Sequence, residues 1–179
     1  MIYGSEEIEL AAALEAARRV CAAARTAPKA RGIDQIHTMI LTGEDKNRLA
    51  DTLRLMGEDG GPDFYLRDAG NLLCAQAVAL IGVSEGQRGL NEMCGYCHFE
   101  NCAACCAAGA TCVYDAMDLG VAVGSAVSVA ADARVDSRVM FSVGKAALAL
   151  DLFAGKATMV MGIPLSVSGK SPFFDRKKK

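Results

Sequence analysis

The chain has 179 residues, of which 52% are hydrophobic and 22% are charged, and its formal net charge is −2. This length and composition allow one domain with a sizeable core and exclude a disordered chain. The basic residues are spread along the chain except for the final run DRKKK, which we interpret as a solvated tail, so no nucleic-acid partner is expected. The first residues lack the pattern of a signal peptide, and the longest apolar run, LGVAVGSAVSVAA, is shorter than the roughly 20 residues that cross a bilayer. We therefore expect a cytoplasmic protein without a membrane partner.

The first element is an amphipathic helix over residues 5–24. Leu10, Leu14, Ala17 and Cys21 recur there at helical spacing. Ser5 is the predicted N-cap, and the acidic residues behind it suit the positive end of the helix dipole. Pro28 favours an end to the helix just before it.

A strand, a helix and a second strand are expected to follow. Residues 35–43 are rich in β-branched and apolar side chains, which predicts a strand that ends at Gly43. Residues 44–57 place apolar side chains on one helical face, and residues 61–71 are a loop or a short helix. The continuous apolar run at 77–83 is typical of a strand buried on both faces.

Two helices and a last strand are expected after the cysteines. The helical patterns cover residues 113–131 and 136–153, and the strand covers residues 157–163. No internal repeat or linker divides the sequence. We therefore expect a single α/β-type domain over residues 1–179, with a cysteine-rich metal-binding insert at 91–112.

That insert holds six of the eight cysteines, in the sequence NEMCGYCHFENCAACCAAGATC. Gly95 allows a tight turn that aims two sulfurs at one centre. The following NCAACCAA predicts a short helix that is capped by Asn101 and stopped at Gly109. Eight cysteines in a reducing compartment indicate metal or redox chemistry rather than disulfides.

Four thiolates are what a [4Fe–4S] cluster requires, one for each iron. The preferred ligands are Cys94, Cys97, Cys102 and Cys112. Cys105 or Cys106 remains an alternative to Cys112, because the sequence does not rank the sulfurs by distance. Zinc is the competing metal, although its paired C-x-x-C turns are usually farther apart than these.

The remaining cysteines, the two histidines and the aspartates of the second half of the chain give weaker signals. Cys21 and Cys74 fall within apolar patterns and are predicted core thiols. His98 is a metal ligand, a proton carrier or, more simply, a loop residue with local hydrogen bonds, and His37 is predicted to be structural. The aspartates at 115, 118, 132 and 136 are predicted helix caps or solvated charges.

The chain resembles a prokaryotic family of uncharacterised proteins that contain a ferredoxin domain. The resemblance lies in CGYCHFENC with a later cysteine, in DLGVAVGSAVSVAADARVDSR and in MGIPLSVSGKSPFFDR, and AARTAPKARGID and FYLRDAGN fit it as well. It spans nearly the whole chain, and it implies an iron–sulfur centre.

A second stretch, AARTAPKARGIDQIHTMILTGEDKNRLAD, is similar to a segment of FMN-dependent nitroreductases. DAMDLGVAVGSAVSVAA matches their long central helix, which is buried in a dimer interface. This resemblance implies an α+β nitroreductase-like fold, with a helix-covered sheet, and a homodimer.

The Arg-x-Ser-x-Arg start that binds the flavin phosphate in those enzymes is missing here. The groups available to an FMN phosphate would be Arg25, Thr26, Lys29 and Arg31. The alternative interpretation of these residues is a basic helix C-terminus that complements the helix dipole.

Three functions are expected from these features. The first is an iron–sulfur redox protein that carries electrons to an unidentified partner or feeds a small reductase. The second is a zinc-stabilised dimeric interaction module without catalysis. The third is a nitroreductase-like oxidoreductase that uses FMN.

Overall fold

A four-stranded antiparallel sheet forms the centre of the protein, in a computed structural model that describes residues 1–174. The strands are β1 (Ile36–Thr42), β2 (Ala77–Val83), β3 (Asp136–Ser137) and β4 (Met159–Ser166), and their order in the sheet is β1-β2-β4-β3. The basic run at 175–179 lies outside the described residues.

Six α-helices accompany the sheet in the described part of the chain. They are α1 (Ser5–Thr26), α2 (Gly43–Glu58), α3 (Phe64–Cys74), α4 (Cys102–Ala107), α5 (Val113–Asp132) and α6 (Phe141–Ala149). The predicted order of the main helices and strands is confirmed, and most of the stretch 61–71, predicted as a loop or short helix, belongs to α3.

Strand β2 lies between β1 and β4, and all of its residues are buried, as the apolar run predicts. Ala77 pairs with Thr42 on one side and with Leu165 on the other. Its alternate side chains enter two different cores because successive side chains of a strand point to opposite faces. Ile81 packs with α1 and α5, whereas Leu80 packs with α2, α3 and α6. The fold therefore has three layers, with the sheet between two groups of helices.

The predicted helix at 136–153 is wrong at both ends. Asp136 and Ser137 form strand β3, which pairs with the end of β4, and Met140 forms a further bridge to Gly162. Helix α6 begins only at Phe141 and ends at Ala149. The backbone hydrogen bonds offered by β4 prevail over the helical pattern of these residues, since local propensity is weaker than tertiary pairing.

The predicted cap of α1 is also wrong. Ser5 is the first residue of the helix, and Gly4 occupies the N-cap position without a side-chain hydrogen bond. The acidic first turn with Glu6 and Glu7 is present as predicted. The helix ends at Thr26, two residues before Pro28, as the proline predicts.

Helix α5 is long and apolar enough, by length and composition alone, to cross a membrane, with a mean hydropathy of 1.3. It packs against α1 and the sheet, and its first turns carry the buried carboxylates of Asp115 and Asp118. These contacts are those of a core helix. Only 33% of its apolar stretch is buried within one chain, however, so part of an apolar face remains uncovered.

Candidate metal centre

The loop between β2 and α4 is shaped by turns that need positive φ angles. Gly95 has φ of 62° inside the CGYC turn, as its position there predicts, and His98 follows with φ of 64°. The backbone N–H of His98 donates to the carbonyl of Gly95 at 3.0 Å, which closes the turn. His98 is exposed and lies within this turn.

Helix α4 follows at once and forms as the sequence predicts. The Asn101 side chain accepts a hydrogen bond from the backbone N–H of Ala104 at 2.9 Å, so it caps the helix. Gly109 has φ of 62° and donates to the carbonyl of Cys106 at 2.9 Å, which ends the helix. Cys102 is therefore in the first turn of α4, and the chain after Gly109 turns back toward it.

One small cavity lies between this loop, α4 and the start of α5. Its lining includes the four cysteines that the sequence favours as ligands, namely Cys94, Cys97, Cys102 and Cys112. The other residues of the lining include Arg88, Asn91 and Tyr114. The cavity has a volume of about 20 Å³. That space holds roughly one water molecule, so a larger group requires the thiol side chains to rotate outward.

The two remaining cysteines of the segment are placed differently. Cys105 is buried beside the cavity, but its thiol donates to the carbonyl of Ala110 at 3.3 Å. Burial raises the pKa of the Cys105 thiol to about 11, and the neighbouring sulfur of Cys97 adds to the rise. Cys106 is exposed on the outer side of α4 and is not part of the cavity lining.

Two features of the backbone place positive partial charge next to sulfurs of this cavity. Cys112 is the N-cap residue of the 20-residue helix α5, so it lies at the positive end of a long helix dipole. The backbone N–H of Asn91 points at the Cys102 sulfur, at 3.4 Å. Hydrogen bonds of this kind are part of what sets the reduction potential of iron–sulfur centres.

The sulfurs surround the cavity rather than converge on one point. Within residues 1–174, no three His, Cys, Asp or Glu side chains lie close enough together to hold a single metal ion. A single zinc ion, with Zn–S distances of about 2.3 Å, would need its four sulfurs about 3.8 Å apart. The four thiols are suitable donors for an iron–sulfur cluster or for zinc. Their sulfurs lie farther apart than those of a zinc site that is already formed.

A buried ion network lies next to the cysteines, and the sequence reasoning missed it. Arg88 Nη1 donates to Asp115 Oδ1 at 2.8 Å, and Arg88 Nη2 donates to Asp118 Oδ2 at 2.7 Å. The side chains of Arg88, Asp115 and Asp118 are 1%, 0% and 6% exposed. The prediction that the two aspartates are helix caps or solvated charges is therefore wrong. Their spacing of three residues puts both on one face of α5, which is the signal that the sequence did offer.

Further hydrogen bonds join this network to two other segments. The remaining oxygen of Asp118 accepts from the backbone N–H of Ala30 at 3.0 Å, and that of Asp115 accepts from Gly86 at 3.1 Å. Burial raises the pKa of Asp115, and the hydrogen bond from Gly86 and the charge of Arg88 offset only part of the rise. Burial lowers the pKa of Arg88. The hydrogen bond to Asp118 and the charge of Asp115 raise it by more, so the pKa of Arg88 lies above its usual value.

The four residues suggested as phosphate contacts are already engaged within the chain. Arg25 forms an ion pair with Asp34 and donates to the carbonyl of Ile36. Lys29 donates to carbonyls at the end of α1, and Thr26 donates to the carbonyl of Ala22. Arg31 donates to the carbonyl of Arg88 at 2.6 Å. Each of these four side chains therefore already has a hydrogen-bond partner within the chain.

The other two cysteines and His37 are not part of the cavity lining. Cys21 is buried in α1, and burial raises its pKa to about 11, as expected of a core thiol. Cys74 is exposed at the end of α3, so its prediction as a core thiol is wrong. His37 lies in β1, where its Nε2 is 2.6 Å from the hydroxyl oxygen of Ser84, which fits a structural role.

Comparison with solved structures identifies the fold. The FMN-dependent nitroreductase NfnB from Mycobacterium smegmatis superposes with a TM-score of 0.61 at 14% identity, over 89% of this chain and 80% of that one. A BluB-like flavoprotein from Clostridium difficile gives 0.56 at 16% identity, over 92% and 84%. Nitroreductase A from Vibrio parahaemolyticus gives 0.57 at 12% identity over 92% of this chain, which spans only 61% of that enzyme. The expected α+β nitroreductase-like fold is confirmed.

Comparison of sequences identifies the family. The model of the family described as uncharacterized proteins containing a ferredoxin domain matches residues 108–176, a range that includes Cys112 but not Cys94, Cys97 or Cys102. An uncharacterized protein of Archaeoglobus fulgidus is 38% identical over 185 aligned positions, which cover 99% of this chain and 96% of the relative. The chain therefore belongs to the family of uncharacterized proteins containing a ferredoxin domain.

Proposed function

We propose that this protein binds a [4Fe–4S] cluster through Cys94, Cys97, Cys102 and Cys112 and transfers electrons in the cytoplasm. The observation that carries the proposal is that these four thiols line one cavity, while Cys105 and Cys106 are committed elsewhere or exposed. The ferredoxin domain of the family supports iron–sulfur electron transfer. When bound, such a cluster supplies a one-electron couple.

The residues around the cavity suit that role. Asn91 N–H contacts the Cys102 sulfur, and the start of α5 lies behind Cys112. The loop over the cavity is open to solvent, with Met93 92% and Tyr96 62% exposed. A redox partner that docks on this loop would come close to the cluster, which is what rapid electron transfer requires. The loop consists of turns, so it can widen to admit the cluster without breaking a long helix or strand.

The first experiment is an anaerobic ultraviolet–visible spectrum of fresh protein, with iron, zinc, sulfide and flavin quantified on the same sample. A brown protein with about four irons and four sulfides per chain is expected. Protein purified without oxygen that contains neither iron nor sulfide would refute the cluster.

Cysteine substitutions then test the ligands. Changing any one of Cys94, Cys97, Cys102 or Cys112 to Ser should remove most of the bound iron. Cys106→Ser is the matched control, because this thiol belongs to the same segment but does not line the cavity, and it should keep full iron content. Equal loss of iron in the control would overturn the ligand assignment. Cys21→Ser should also have no effect.

A zinc-stabilised module is the second candidate, and the small volume of the cavity favours it. A space of about 20 Å³ suits a single ion better than a cluster. This function predicts a colourless protein with one zinc per chain that unfolds in a chelator. The positions of the sulfurs argue against zinc, because no three His, Cys, Asp or Glu side chains within residues 1–174 lie close enough together to bind one ion.

A flavin-dependent reductase is the third candidate, and the fold supports it. The neighbours in structure include an FMN-dependent nitroreductase. The side chains suggested as phosphate contacts already have hydrogen-bond partners within the chain. The support for flavin binding therefore comes only from the fold. Titration of the purified protein with FMN, followed by quenching of flavin fluorescence, distinguishes this candidate.

We further propose that the protein is a homodimer in which residues 1–179 form one domain per chain, with residues 91–112 as its cysteine segment. Val139, just before α6, is 40% exposed, and Phe141 at the start of α6 is 52% exposed. Both line an apolar groove of about 310 Å³ between α5, α6 and β4. The resemblance of α5 to the central helix of nitroreductases makes a second copy of the chain the expected occupant.

A further inference from the structure

The side chain of Arg88 is fully enclosed by protein but incompletely hydrogen-bonded. It is 1% exposed, and its two terminal nitrogens donate to Asp115 and Asp118. The third nitrogen, Nε, is buried and has no hydrogen-bond partner among residues 1–174. Buried donors are almost always paired, so an unpaired N–H on a buried cation calls for a partner that is not part of the chain.

The position of Arg88 indicates where that partner lies. Arg88 lines the cavity formed by Cys94, Cys97, Cys102 and Cys112, and it is the arginine in that lining. It is held from behind by two carboxylates and by the carbonyl of Gly86, so the guanidinium has little freedom to turn away.

We propose that the Arg88 Nε–H donates a hydrogen bond to a sulfur of the iron–sulfur centre and thereby raises its reduction potential. The inference rests on the proposed cluster. A donor to a sulfur stabilises the reduced state, which carries one more negative charge, more than the oxidised state. The carboxylates of Asp115 and Asp118 largely neutralise the arginine, so the local hydrogen bond dominates over the long-range charge.

The network also gives Arg88 a second connection. Asp118 binds the backbone N–H of Ala30, and Arg31 donates to the carbonyl of Arg88. The segment that follows α1 is thus fixed to the same arginine that faces the cysteines. Two independent parts of the chain hold the donor in place, as expected of a residue whose orientation matters.

The variant Arg88→Lys tests the inference, because lysine keeps the positive charge for both carboxylates but has no Nε–H. The midpoint potential of the cluster, measured by anaerobic titration with dithionite, should shift to a more negative value while iron content stays unchanged. Arg67→Lys is the matched control, since Arg67 also pairs with a buried carboxylate, that of Asp68, but does not line the cavity. An unchanged potential in Arg88→Lys, or an equal shift in Arg67→Lys, would overturn the inference.

A second measurement needs no variant and decides the question if Arg88→Lys fails to fold. Wild-type protein grown with ¹⁵N-labelled arginine is reduced and studied by pulsed electron paramagnetic resonance. A ¹⁵N coupling to the cluster spin is expected from the hydrogen-bonded Nε. A reduced cluster without this coupling refutes the role of Arg88 and leaves the cluster intact, whereas wild-type protein with no cluster refutes both proposals.

Discussion

Arg88 and Asp118 form a buried ion pair, with 2.7 Å between Nη2 and Oδ2, although the two residues are thirty positions apart in the sequence. Asp118 uses its other oxygen to bind the backbone N–H of Ala30. One carboxylate on α5 therefore fixes both the segment before the cysteines and the segment after α1.

Asp118→Ala should destabilise the protein by about 3 kcal/mol, because loss of one partner leaves a buried charge with less compensation. The cost is at the lower end of the range for broken buried pairs, since Asp115 still binds Arg88. Urea unfolding of the metal-free protein measures the change. Asp132→Ala, at an exposed position at the end of the same helix, is the control and should change stability by no more than about 0.5 kcal/mol. A loss below about 1 kcal/mol in Asp118→Ala would show that the network does not stabilise the fold.

Gly144→Ala should be among the most damaging small substitutions in this protein. A Cβ atom at Gly144 would lie 1.7 Å from the backbone oxygen of Val160, so α6 and β4 would have to move apart. We expect a loss of about 3 kcal/mol or more, as in severe overpacking. Gly70→Ala, in α3 with nothing within 4 Å of the new atom, should instead stabilise by about 0.5–1 kcal/mol. Thermal unfolding followed by circular dichroism compares the two variants, and equal effects would contradict the close packing of α6 on β4.

Asp34→Asn should change the pH dependence of stability. The hydrogen bonds from Arg25 lower the pKa of Asp34 below its ordinary value. A lowered pKa in the folded state adds stability above about pH 4, and this stability is lost as the pH falls through the folded-state value. Both side chains are nearly half exposed, so solvent screening limits the effect to about 0.5–1 kcal/mol.

Urea unfolding from pH 7 to pH 3 measures this effect, and the gap between wild type and Asp34→Asn should close toward the acid end. Asp51→Asn is the control, because its carboxylate lies 3.8 Å from the nearest arginine nitrogen, a weak exposed contact. A gap that stays constant with pH would mean that the ionised carboxylate of Asp34 does not stabilise the fold.

Most of the helices and strands could be predicted because their apolar patterns are regular. Strand β2 occupies the predicted residues 77–83. A strand that is buried on both faces consists almost entirely of apolar residues, so it is easily recognised in the sequence. The start of the helix at 136 was predicted wrongly because Asp136 and Ser137 pair with a strand that lies about thirty residues later. No local pattern contains that information, which depends on how the sheet is assembled.

At the candidate metal centre, too, the local features could be predicted from the sequence and the long-range contacts could not. The six clustered cysteines, the Asn101 cap and the Gly109 stop are local signals, and the last two were predicted correctly. Arg88 sits in a polar loop with the sequence SEGQRGLN, where an arginine is expected to be solvated. Its burial follows from the position of α5 above that loop, and only the assembled structure brings the two together.

Phe141→Glu should convert the proposed dimer to a monomer. Phe141 is 52% exposed at the start of α6 and lines the apolar groove, so a glutamate there costs a single chain little, but an interface through the groove would bury an unpaired charge on each chain. We expect the dimer dissociation constant to rise at least about tenfold, that is about 1.4 kcal/mol. Leu55→Glu is the control, because Leu55 is 57% exposed on α2 and lies outside the groove. Sedimentation equilibrium should give a dimer for wild type and for Leu55→Glu and a monomer for Phe141→Glu. A monomeric wild type, or a Phe141→Glu protein that stays dimeric, would show that two copies do not meet through this groove.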